Sequence, residues 1–124
     1  MEAGRTIKAS TNLATVTTHD LPTVAGVWHG TDGSPEMRAD LFAAVPEGAD
    51  ATTAAAALHA QIGTSACLLA LACVDDLAGC TERPNRPGTI GGGNWSVRLP
   101  GATDHVVTAT PGREIIDALA TTRR

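Results

Sequence analysis

The run ACLLALACV, residues 66 to 74, constrains this chain more than any other stretch. It shows no alternation of polar and apolar positions. An all-apolar run of that length, set between a helical pattern and turn signals, predicts a strand buried on both faces. Such strands belong to parallel sheets covered by helices and need neighbours on either side. The chain offers one other strand candidate, LATVTT at residues 13–18, rich in the branched residues that suit a pleated surface and ending near His19.

Helix signals fill the space between these strands. Pro22 favours a start, and Val24, Val27 and Trp28 recur at helical spacing before Gly30 closes the turn, which makes Trp28 a core residue. Ser34, Pro35 and Glu36 form an N-cap, first position and first turn for a second helix with Met37, Leu41 and Val45 on one face. After the break PEGAD, the alanine-rich ATTAAAALHAQI predicts a third helix with Leu58 and Ile62 buried and Gly63 as its C-terminal cap. Downstream, Asp75 and Asp76 read as caps of a short helix, TERPNRPGTIGGGN as a long irregular loop of the kind that is often functional, and WSVRL as a short extended piece. The chain closes on TPGREIIDALATT, a helix with Thr110 as cap, Pro111 at the first position and Ile115, Ile116 and Leu119 facing inward. The order is strand, helices, strand, loop, helix: two β/α units, which cannot close a sheet by themselves.

Charge and cysteine usage exclude several partners. Nine basic and thirteen acidic side chains in 124 residues, dispersed along the chain, give nucleic acid or anionic lipid little to bind. The longest apolar run falls far short of the roughly 20 residues a membrane span needs. MEAGRTIKASTN lacks the apolar core of a secretory signal, and Cys67, Cys73 and Cys80 have neither metal-site nor disulfide-framework spacing. A cytoplasmic protein without metal or cofactor is the expectation.

Strand LATVTT delivers His19 directly beside Asp20. Read without further context, this is a turn in which Asp20 caps the next helix, while His29, His59 and His105 are exposed or partly packed residues, His105 in a loop, without a role. Metal ligation by His19 and Asp20 is a weaker alternative, because hydrolytic metal sites usually gather further His and carboxylates.

Four segments in order, LATVTTHDLPT, GVWHG, LLALACVDDLAG and ERPNRPGTIGGGNWSVRLP, make the chain resemble the C-terminal part of the bacterial 4-α-glucanotransferases (amylomaltases), relatives of the α-amylases. The resemblance covers residues 12–100 and leaves 101–124 as a C-terminal helix; the lead MEAGRTIKA and the glycine run GTIGGGN fall outside it. It implies an α/β fold, part of a (β/α)8 TIM barrel with LATVTTHD as strand seven and ACLLALACV as strand eight, incomplete on its own because a whole barrel takes roughly 250 residues.

The family transfers α-1,4-glucan segments between maltooligosaccharides with retention, through a covalent glycosyl-enzyme. By motif, Asp20 matches the carboxylate that stabilises the transition state, and His19 the neighbour that binds the same sugar. Asn85, with Pro87 and Gly88, matches the loop after strand eight that reaches toward the glucan, whereas Trp95 reads as a lock between the C-terminal segment and the barrel. The family's nucleophilic Asp and acid/base Glu lie in motifs that nothing here resembles. The chain alone is therefore expected to be inactive, with the remainder of the barrel as its partner. A non-catalytic protein that binds glucan or completes a separately encoded barrel is the competing expectation.

Overall fold

The computed structural model describes residues 10–123; the lead MEAGRTIKA lies outside them. The elements run β1 (Ser10–Thr15), α1 (Val24–His29), α2 (Pro35–Ala44), α3 (Ala51–Gly63), β2 (Cys67–Leu71), α4 (Val74–Leu77), α5 (Thr103–Thr108) and α6 (Gly112–Thr122). β1 and β2 pair in parallel, with Leu13 opposite Leu69, Ala14 opposite Ala70 and Thr15 opposite Leu71. Parallel pairing requires a long crossover, and α1 to α3 provide it. No helix among the described residues is long and apolar enough to cross a membrane.

The predicted N-cap of α2 holds, and α3 carries an N-cap, Asp50, that was not foreseen. Ser34 accepts from the Met37 N–H at 3.1 Å and Asp50 from the Thr53 N–H at 2.8 Å. On α1 the cap is Thr23, bonded to the Gly26 N–H at 3.0 Å, so Asp20 is not the helix cap. Trp28 lies partly buried against the core as expected and meets Phe42 edge-on at 4.6 Å.

Several expectations need correction. β1 stops at Thr15 rather than near His19, because the next polar groups turn to other partners: Thr15 Oγ1 and Cys73 Sγ both donate to the Thr17 carbonyl, and Thr17 Oγ1 donates to Asp76. β2 is not buried on both faces: Leu68, Leu69 and Leu71 are 60%, 53% and 47% exposed, since the sheet has two strands and no described segment covers them. WSVRL forms no strand.

The buried side of α3 is Ala54, Ala55, His59 and Gly63, not Leu58 and Ile62, which stay partly exposed. α6 explains the difference, for it lies close against the small-residue side, with Gly63 facing Thr122 where a Cβ would collide with the Thr122 hydroxyl. The helix runs through Gly63 and is capped at Thr64. His59 is fully buried rather than exposed or partly packed; its Nδ1 lies 2.6 Å from the Ala55 carbonyl and its Nε2 has no partner.

The C-terminal region holds two helices, and exposed His105 sits on the first of them rather than in a loop. Pro111 takes the cap position of α6, while the Thr110 hydroxyl donates to the Glu114 carboxylate at 2.7 Å. Ile115 is fully buried and Ile116 and Leu119 partly so, as the pattern predicts. At the other end of α6, Arg123 donates to the carbonyls of Cys67 and Leu68 at 2.7 and 2.9 Å, tying the helix to β2.

The α3–α6 contact gives a direct test. Gly63→Val is expected to destabilise the chain by about 1–3 kcal/mol through overpacking, whereas Ala43→Val on exposed α2 stays within about 0.5 kcal/mol. Urea unfolding followed by circular dichroism measures both.

Candidate functional site

Asp76 sets the geometry from below. It was expected to cap α4, but the cap position there is Cys73, and the Asp76 carboxylate, 2% exposed, points across to the first β/α unit instead. One oxygen accepts from the Thr17 hydroxyl, and the other accepts from the Val24 N–H at 2.9 Å. A single carboxylate thus fixes both ends of the turn that carries His19 and Asp20.

The loop after α4 closes over that turn. The Asn85 N–H donates to the His19 carbonyl at 3.1 Å, and the Asn85 side-chain amide donates to Asp20 Oδ1 at 2.8 Å. His19 Nε2 lies 3.4 Å from Asp20 Oδ2. His19, Asp20 and Asn85, singled out from the sequence, therefore come together although Asn85 is 65 residues from Asp20. Both His19 and Asp20 keep about half of their side-chain surface open, at 55% and 43%. Pro87 and Gly88 lie exposed on the same loop.

Two supports were not read from the sequence. Arg83 donates to both oxygens of Asp32, Nε at 3.0 Å and a terminal nitrogen at 2.9 Å, and its other terminal nitrogen donates to the Asp20 carbonyl at 2.9 Å. The Arg83 hydrogen bond holds the Asp32 carboxyl below its ordinary value, and the same contact raises the Arg83 guanidinium. Lone charged residues in ERPNR and GTDG gave no sign that they meet. A planar fork facing a carboxylate is the geometry in which arginine positions a loop.

Trp95 is the second support. It is 66% exposed, and its ring lies 5.2 Å from that of His19, tilted by 40°. The glycine run explains how it arrives there. Gly91, Gly92 and Gly93 all adopt positive φ, and the Asn94 side chain bonds the Arg86 N–H and the Thr89 hydroxyl, which folds the loop back on itself. Trp95 itself has φ 63°, held by its N–H bond to the Pro84 carbonyl at 2.6 Å.

Other chemistry is less well supported. Among the described residues no group of three or more His, Cys, Asp or Glu is placed to hold a metal. Burial first, and then Asp75, Asp76 and Glu82, push the Cys80 thiol up, the opposite of an activated nucleophile. His29 is exposed at the end of α1, and Arg98 is exposed as well.

A family model described as 4-alpha-glucanotransferase matches residues 6–104. The chain belongs to that family. Among solved structures it is similar to the crystal structure of amylomaltase from Corynebacterium glutamicum, with a TM-score of 0.68 and 19% identity over 90% of this chain. At that identity the likeness speaks for the fold alone, and this chain spans 23% of the length of that one. Comparison with curated proteins gives no match.

The Arg83–Asp32 pair makes a pH prediction. Because the Asp32 pKa is lowered on folding, its contribution is complete above the ordinary value of 3.8 and is lost as pH falls through the depressed folded value. Arg83→Ala is expected to cost about 2 kcal/mol at neutral pH and to shrink that acid-side loss, with the Gly33 N–H and Arg86 sustaining the remainder, read from urea midpoints at descending pH.

Proposed function

We propose that this chain supplies strands seven and eight of a (β/α)8 barrel in a 4-α-glucanotransferase, with residues 12–100 as barrel and 101–124 as its C-terminal helices. The observation that carries this reading is the convergence of Asp20, His19 and Asn85 where the turn after β1 meets the loop after α4. Active sites of such barrels lie at the C-terminal ends of the strands, and this cluster follows the C-terminal end of β1. The uncovered leucines of β2 fit neighbouring strands supplied from outside the described residues.

The chemistry follows from the charge that develops on the sugar. Retaining transfer uses a nucleophilic carboxylate and a second carboxyl acting first as acid and then as base; the glucosyl ring becomes oxocarbenium-like on the way in and out of the covalent intermediate. A third carboxylate that bonds the 2-hydroxyl and faces the developing positive charge stabilises the transition state more than the ground state. Asp20 fills that role. Asn85 fixes one carboxylate oxygen and leaves the other beside His19, whose imidazole is placed to bond hydroxyls of the same ring. The acceptor is the 4-hydroxyl of another maltooligosaccharide. The nucleophile and the acid/base come from outside this chain, which on its own carries one catalytic carboxylate of three.

Two assays on maltotriose test the reading. The 124-residue chain alone is expected to release no glucose and form no longer glucans; robust turnover would overturn the claim that two carboxylates come from elsewhere. Grafting residues 12–100 into the Corynebacterium glutamicum amylomaltase in place of its own matching segment should preserve turnover, with Asp20→Asn lowering kcat by about a thousandfold or more. A folded, active chimera indifferent to Asp20→Asn would contradict the assignment.

A further inference from the structure

Trp95 combines three features that packing alone does not require. Its indole is two-thirds exposed, although it is one of only two tryptophans in a chain with a single Phe and no Tyr. It stands against His19, whose other neighbour is the Asp20 carboxylate. Its backbone occupies the left-handed region at φ 63°, an outlier for a bulky residue and of a kind that clusters at ligand-binding positions. The other tryptophan behaves differently: Trp28 lies partly buried, edge-on to Phe42.

The loop is built to hold this arrangement. Three glycines with positive φ precede the tryptophan, the Asn94 side chain bonds across the loop, the Ser96 hydroxyl bonds the Gly93 carbonyl, and the Trp95 N–H is bonded to Pro84, one residue before Asn85. A glycine at position 95 would relieve the backbone, so the indole side chain itself is what the strained position supplies.

We propose that Trp95 is a sugar-binding platform: its open face stacks on a glucosyl ring of an α-1,4-glucan adjacent to the ring held by His19, Asp20 and Asn85. The axial C–H groups of a glucosyl ring form an apolar face that matches an indole, while the ring's hydroxyls point outward to polar partners such as the His19–Asp20–Asn85 cluster. The proposal rests on the glucanotransferase reading and deepens it by adding a second contact point along the chain of sugars.

The test uses the 124-residue chain labelled with 15N and titrated with maltotriose into the tens of millimolar. Its two indole N–H signals serve as reporter and internal control. The Trp95 indole signal and the amides of His19, Asp20 and Asn85 are expected to move together along one binding curve, with Trp28 still. Trp95→Gly should keep the folded spectrum and raise the unfolding midpoint, yet weaken the maltotriose response of those amides roughly fivefold to tenfold; Trp95→Phe should recover most of it. The platform is refuted if the amides move while the Trp95 indole stays still, if Trp95→Gly binds like the parent, or if no signal moves. Turnover by the chimera and its dependence on Asp20 test the underlying reading separately, so either claim can fail without the other.

Discussion

The Asp76 carboxylate, bonded at once to the Thr17 hydroxyl and the Val24 N–H, is the interaction on which the remaining geometry depends. It lies on the second β/α unit and holds the first, gripping the chain on either side of the His19–Asp20 turn. Burying a carboxylate is unfavourable unless donors replace the water it loses, and here two donors from one short segment do so. The clamp therefore acts as a register device as well as a source of stability, since a shift of β1 along β2 would leave a buried charge unpaired.

With the turn fixed, each later contact in the site becomes possible. Asn85 reaches the Asp20 carboxylate because the loop after α4 leaves from Asp76's own helix, and Arg83 fastens that loop to Asp32 beyond α1. Close approach is also needed at Gly26, where a Cβ would lie 2.5 Å from the Thr81 carbonyl. The energetics differ along this chain of contacts. The clamp is buried, whereas His19 and Asp20 are half exposed and open to the hydroxyls of a ligand.

Much of this was legible in the sequence, for local reasons. Ser34 and the buried Ile115 follow from rules that act within a turn or two of helix, and HD at the end of a branched-residue strand marked the site through its likeness to known motifs. What was not legible depends on distant partners. Within its own segment Asp76 reads as a local cap because no rule there points to Thr17, and His59 reads as exposed or partly packed because nothing near Leu58 announces that α6 will cover it. Trp95 was assigned to packing, since the left-handed backbone that turns it toward His19 is set by the glycines and by Pro84. The apolar run 66–74 was the reverse case: its composition demands cover on both faces, and the described residues leave Leu68, Leu69 and Leu71 open.

A double-mutant cycle of Thr17→Val and Asp76→Asn on the free energy of unfolding tests the clamp most directly. If one carboxylate couples the two β/α units as described, the two substitutions will be non-additive by about 1 kcal/mol or more. Additivity within about 0.3 kcal/mol would mean that the two residues act independently, and the account of how the His19–Asp20 turn is held would be wrong.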